Sequence, residues 1–178
     1  NGRGTPELCG VEGRIDILTS TLGKALGGSG GGFIASKKEI IDKLRNKARP
    51  YLFSNNILPM TAGVGIEILK MIQNSKDLIQ KLSDNTAYFR SKMVEAGFNI
   101  REGVHPVVPV MFGDAILAGK VAKKMVEEEG IYVIAFSFPV VPKNEARIRV
   151  QISAGHNKEH LDKAIASFIK VGKELEII

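Results

Sequence analysis

Thr21-Leu22-Gly23-Lys24-Ala25-Leu26-Gly27-Gly28-Ser29-Gly30-Gly31-Gly32 is the stretch on which the reading of this chain turns. An apolar run, Ile15-Asp16-Ile17-Leu18, precedes it and gives way to two hydroxyl residues, Ser20 and Thr21. One lysine follows, and then Gly27, Gly28, Gly30, Gly31 and Gly32. A lysine at a strand end, beside hydroxyls and bare backbone, suits an amine that forms a Schiff base next to a phosphate. Burial and neighbouring positive charge free the lone pair of such an amine. Hydroxyls and glycine N–H groups hold a phosphate without steric cost. A solvated loop lysine is the alternative reading of this segment taken alone.

Two better-known phosphate motifs do not fit. A P-loop needs Ser or Thr after its Gly-Lys pair, and Ala25 follows Lys24; the earlier glycine it also needs is Leu18. Gly30-Gly31-Gly32-Phe33-Ile34-Ala35 has the letters of a dinucleotide fingerprint. It leads into a strand-like run instead of opening a helix.

The chain has 178 residues, 44% hydrophobic and 25% charged, which is ordinary for one full globular domain or two small ones. Cys9 is the single cysteine, so no internal disulfide forms and a reducing compartment fits. No apolar run approaches the roughly 20 residues a membrane helix needs, so no membrane partner is expected. The net charge of +6 favours anionic partners such as phosphates or an acyl-coenzyme A. The basic cluster Lys37, Lys38, Lys43, Arg45, Lys47 and Arg49 reads as a solvated helix face. No aromatic-interleaved basic motif accompanies it, so no nucleic acid is expected. Asn1-Gly2-Arg3-Gly4 reads as a start in mid-sequence, and a longer protein is expected.

Residues 14–20 read as a buried strand and 32–35 as a second strand. Ser36 with Glu39 reads as a capping box, opening a helix that runs to Arg49 and is stopped by Pro50. Residues 51–56 read as extended, and Pro59 opens a helix with Val64, Ile68 and Met71 inward. Ser75 reads as the cap of a helix carrying Leu78, Leu82, Phe89 and Met93, closed by Ala96-Gly97. The second half reads as an α+β unit: strands at 107–111, 131–136 and 146–152, a helix capped by Asp114 and ended by Gly130, and a last helix capped by Asn157. The domain boundary falls near Asn74, dividing the chain into 1–74 and 75–178.

Arg147-Ile148-Arg149-Val150-Gln151-Ile152 alternates, with Arg147, Arg149 and Gln151 on one face. A sheet with one wet face is the plain reading. A guanidinium fork aimed at a carboxylate is the functional one. His105 reads as a loop residue, His156 and His160 as capping or surface groups, Cys9 as inert, and Glu127-Glu128-Glu129 as a solvated helix end. No spacing suits a metal.

In order along the chain stand Ser-Thr-Leu-Gly-Lys-Ala-Leu-Gly-Gly, Arg-Pro-Tyr-Leu-Phe-Ser-Asn, Pro-Val-Val-Pro-Lys and Ala-Arg-Ile-Arg-Val-Gln-Ile-Ser-Ala. This set resembles the pyridoxal-phosphate-dependent α-oxoamine synthases, over the whole chain, as their C-terminal part. Residues 1–4, 49–55 and 106–114 favour the branch that joins glycine to acetyl-coenzyme A. The resemblance implies an α/β fold-type I transferase: the end of the large cofactor-binding domain, followed by the small α+β domain. It implies pyridoxal 5′-phosphate held by Lys24, with Thr21 at its phosphate, and Arg149, in preference to Arg147, on the substrate carboxylate. Phe53 and Ser54 then reach the neighbouring subunit's site in a homodimer.

The implied reaction condenses glycine and acetyl-coenzyme A to 2-amino-3-oxobutyrate and coenzyme A. The reverse direction serves threonine breakdown, with threonine dehydrogenase as a partner, in the cytoplasm or the mitochondrial matrix. The family's pyridine-nitrogen aspartate and its two histidines match no residue here, and Asp16 is no substitute. The competing readings are a sister synthase making 8-amino-7-oxononanoate, 5-aminolevulinate or a sphingoid base, an aminotransferase of the same fold, and an inactive binding fragment.

Overall fold

The computed structural model describes residues 2–27 and 30–178, so Gly28 and Ser29 of the glycine tract lie outside the described residues. The chain divides into two compact units, residues 1–76 and 77–178.

The first unit opens with a short helix, α1 (Thr5–Leu8), followed by an antiparallel hairpin of β1 (Ile17–Thr21) and β2 (Gly32–Ser36). Thr21 pairs with Gly32 at its closed end. A Cβ on Gly32 would stand 2.5 Å from the Ser20 carbonyl oxygen, so only glycine fits that approach. The first strand is shorter than expected and mostly exposed, with Ile17 and Leu18 open to solvent. Pairing with a single neighbour covers an edge of β1 but neither of its faces.

The helices α2 (Lys38–Lys47), α3 (Arg49–Phe53) and α4 (Pro59–Asn74) follow. Ser36 does not cap α2: it ends β2, and its hydroxyl donates to the Asp16 carbonyl at 2.6 Å. Pro50 opens α3 instead of stopping α2, which ends at Lys47. Proline has no N–H to lose in a first turn, and its fixed φ suits that position. Tyr51 to Phe53 are therefore helical, not extended. Pro59 does open α4, but the buried positions are Thr61 and Gly65, while Val64 and Met71 are exposed. The small Gly65 lets α4 approach the buried Leu22: a Cβ there would lie 3.5 Å from Leu22 Cδ2.

The second unit packs α5 (Lys76–Glu95), α6 (Ala115–Glu127) and α7 (Lys158–Glu174) with a three-stranded antiparallel sheet ordered β3-β5-β4. Its strands are β3 (Val107–Gly113), β4 (Ala135–Phe136) and β5 (Ala146–Gln151). The core joins Phe89 and Met93 of α5, Val121 and Met125 of α6, and Leu161, Ile165, Phe168 and Val171 of α7 to Val108, Val110 and Ile148 of the sheet. Phe168 meets Phe89 and Phe98 edge to face, at centroid distances of 6.5 and 6.0 Å.

Asp114 caps α6 by accepting from the Leu117 N–H at 2.7 Å. Asn157 and His160 form a reciprocal capping box on α7. Gly97, at φ +97°, ends α5, and the Phe98 N–H reaches back to the Met93 carbonyl at 3.0 Å. Ser75 is not the cap expected of it, since its hydroxyl donates back to the Met71 carbonyl at 2.6 Å. Leu78 is exposed. Of the expected strand at 131–136 only Ala135 and Phe136 pair. Glu129 is more than a solvated acid: it accepts from Lys170 Nζ at 2.6 Å and Ser167 Oγ at 3.0 Å, tying the end of α6 to α7.

Candidate active site

Lys24 stands in the connection between β1 and β2, three residues beyond Thr21. The connection folds back on itself, with the Leu22 N–H donating to the Gly31 carbonyl at 3.0 Å and the Gly27 N–H to the Lys24 carbonyl at 2.9 Å. Leu22, only 4% exposed, anchors the turn from beneath, and Lys24 projects from an exposed backbone. This departs from the buried lysine that the chemistry suggested. Its ammonium has no hydrogen bond or ion pair among the described residues, which leaves it free to react. The Thr21 hydroxyl makes only long contacts, donating to the Gly31 carbonyl and accepting from the Gly23 N–H, each at 3.4 Å. Asp16 lies just before β1, not inside a strand, and sits 4.0 Å from Lys37.

Phe53 is the last residue of α3 and is 78% exposed, with the Arg49 guanidinium 5.7 Å from its ring centroid. Ser54 ends the helix, its N–H donating to the Pro50 carbonyl at 3.1 Å. A large aromatic ring so exposed at a helix end is available to another surface.

The structure separates the two arginines of β5, which sequence alternation alone could not do. Arg147 is buried, and its guanidinium reaches Glu145 at 3.4 Å; Glu145 also accepts from Arg101 at 3.0 Å. Arg149 is exposed, and among the described residues its guanidinium meets no carboxylate. It lies instead over the ring of Phe136, 4.4 Å from the centroid. Arg147 is thus already neutralised, and Arg149 keeps its donors for an anion.

Two partners of this arrangement escaped the reading of the sequence. Glu145 is signalled only by opposite charge two residues from Arg147, which on a strand means the same face. Phe136 is signalled by register: it faces Arg147, so Arg149 is its diagonal neighbour across the strands. The histidines stay structural. His105 Nδ1 accepts from the Val107 N–H at 3.0 Å, and His156 Nδ1 from the Ser153 N–H at 3.2 Å. Cys9 is exposed. Among the described residues no cluster suits a metal ion, and no helix is long and apolar enough to cross a membrane.

A family model described as aminotransferase class I and II matches residues 2–168. The chain belongs to the aminotransferase class I and II family. It is 47% identical over 178 residues to the 2-amino-3-ketobutyrate coenzyme A ligase of Escherichia coli K12, covering 100% of this chain and 44% of that protein. It is 46% identical over 178 residues to the 8-amino-7-oxononanoate synthase of Thermosipho melanesiensis, covering 100% of this chain and 45% of that one. A high-resolution structure of SPT with its PLP internal aldimine matches with a TM-score of 0.93 at 25% identity, over 100% of this chain and 45% of that chain. The chain spans less than half the length of these relatives. The family places it in the expected class, the α/β fold-type I architecture of pyridoxal-phosphate-dependent transferases.

Proposed function

We propose that these residues belong to a pyridoxal-phosphate-dependent glycine C-acetyltransferase, a 2-amino-3-ketobutyrate coenzyme A ligase. The observation that carries this is the 47% identity to that enzyme, extending over every residue of the chain. The side chains fit the cofactor chemically: Lys24 offers an uncommitted amine to its aldehyde, and Thr21 a weakly engaged hydroxyl to its phosphate. Gly30 and Gly31 leave the adjoining backbone bare.

Bound pyridoxal phosphate would supply the electron sink that makes the glycine α-carbon acidic. Arg149 holds the glycine carboxylate through its guanidinium fork, which fixes the α-carbon relative to Lys24. Lys24 Nζ takes the α-proton. The α-carbon then bonds to the acetyl carbonyl carbon, the thioester C–S bond breaks, and coenzyme A leaves with its sulfur. Phe53 and Ser54 complete the site of a second subunit, so the working form is a homodimer. A threonine dehydrogenase delivering 2-amino-3-oxobutyrate is the partner for the reverse reaction.

The 46% identity to an 8-amino-7-oxononanoate synthase supports a second reading, in which a longer acyl thioester is used. Thiol release from acetyl-coenzyme A and from longer acyl-coenzyme A substrates, measured with glycine on the protein that carries these residues, decides between them. Preference for the acetyl donor supports the ligase. Preference for a long acyl chain replaces it with the synthase.

A further inference from the structure

We infer that Phe136 is a positioning residue for Arg149: its ring sets the guanidinium in place for a substrate carboxylate. This rests on the proposed role of Arg149. Phe136 is half-buried in the two-residue strand β4, hydrogen-bonded along the edge of β5. The register puts Phe136 opposite Arg147 and Ala135 opposite Ile148, which makes Phe136 and Arg149 a diagonal pair. An aromatic and an arginine are both long enough to close that diagonal. They do so here, with the guanidinium carbon 4.4 Å from the ring centroid.

A ring is an unusual way to hold an arginine that must also bind an anion, and its chemistry explains the choice. A carboxylate neighbour, such as Glu145 is to Arg147, fixes a guanidinium but neutralises it and takes up its donors. A π-face attracts the cation through its quadrupole and accepts none of the N–H groups needed for a bidentate fork. Arg149 is exposed, and its long side chain would otherwise sample many rotamers. The ring restricts them before substrate arrives, so less ordering remains to be done on binding. Arg147, on the same face and beside the same ring, is committed to Glu145 and provides an internal reference.

The test uses the protein that carries these residues, in Phe136→Leu, Phe136→Tyr and Arg149→Lys forms. Two readouts are taken. One is the steady-state KM for glycine against kcat. The other needs no cofactor: the rate at which phenylglyoxal modifies Arg149, with Arg147 as reference, mapped by peptide mass. A contact of this kind at an exposed site is worth roughly a two- to fivefold change in an equilibrium constant. Phe136→Leu keeps the apolar bulk but removes the π-face. It should raise Arg149 modification and glycine KM by such a factor, with the effect falling on KM rather than kcat and with Arg147 modification unchanged. Phe136→Tyr should restore both. Unchanged Arg149 modification in a folded Phe136→Leu protein overturns the inference, and so does a change that Tyr fails to restore. A glycine KM untouched by Arg149→Lys shows instead that the carboxylate role of Arg149 is wrong.

Discussion

Replacing Arg149 with lysine keeps a positive charge on β5 but removes the planar fork. Arg149 is exposed, stacked on Phe136 at 4.4 Å and free of any acidic partner among the described residues, so the change should leave the fold undisturbed. Charge-assisted hydrogen bonds contribute about 1.5–3 kcal/mol, and lysine recovers part of this as a point charge. The expected rise in glycine KM is therefore roughly 10- to 40-fold. Cofactor content, read from absorbance, should stay near that of the unmodified protein, because Arg149 and Lys24 lie in different units of the chain.

The contrasting variant is Arg147→Lys. The Arg147 side chain is 9% exposed and meets Glu145 at 3.4 Å, while Glu145 is 38% exposed and also holds Arg101. Its loss should cost stability, about 1–2 kcal/mol after allowance for solvent around Glu145, and leave glycine KM alone. Steady-state kinetics in glycine and urea unfolding of both variants give the answer. A KM unchanged by Arg149→Lys but raised by Arg147→Lys would refute the reasoning.

Gly172→Ala should be destabilising even though alanine favours a helix, because its Cβ would fall 2.7 Å from Phe98 Cζ and 3.1 Å from Ile178 Cγ1. Overpacking of 1–3 kcal/mol against a helix gain near 1 leaves a net loss of about 1 kcal/mol, seen as a lower urea midpoint; a higher midpoint would show that the Phe98 ring gives way. The Glu129 carboxyl is held below its ordinary value of 4.5, first by the hydrogen bond from Lys170 and then by that from Ser167. A depressed carboxyl stabilises the fold above its unfolded pKa and ceases to do so as pH falls through the folded one. The melting temperature should thus fall on acidification below about pH 4.5. Glu129→Gln should lower it at neutral pH and flatten that acid limb, and an acid limb identical to the parent's would contradict the assignment.

The parts of the fold most legible in the sequence were those fixed locally. Asp114 and Asn157 cap the helices expected of them, because an acceptor side chain before an apolar-periodic run has one good use. The second unit's core followed from periodicity, with Phe89, Met93, Val121, Met125 and Phe168 all fully or almost fully buried. Errors gathered where a side chain had two possible uses. Ser36 bonds backward to Asp16 instead of forward to α2, and Ser75 to Met71 instead of α5. Pro50 can end one helix or begin the next, and it begins α3.

In α4 the turn-by-turn pattern of Val64, Ile68 and Met71 misplaced the buried face. Gly65 is buried because its lack of a side chain admits Leu22, and no hydrophobicity pattern registers that. At the candidate site, Lys24 was legible from its glycine and hydroxyl context. The difference between Arg147 and Arg149 was not, because it depends on Glu145 and on a ring brought alongside by strand register.

The central claim is that Lys24 is the amine that carries the cofactor. Borohydride reduction of the cofactor-loaded protein that contains these residues, followed by peptide mapping, tests it most directly. Reduction fixes the carbon–nitrogen linkage as a stable secondary amine. The account predicts that the pyridoxyl label falls on Lys24, in the peptide that includes Thr21-Leu22-Gly23-Lys24, and that Lys24→Ala abolishes labelling together with nearly all turnover. A label on any other lysine, or undiminished labelling of the Lys24→Ala protein, would contradict it.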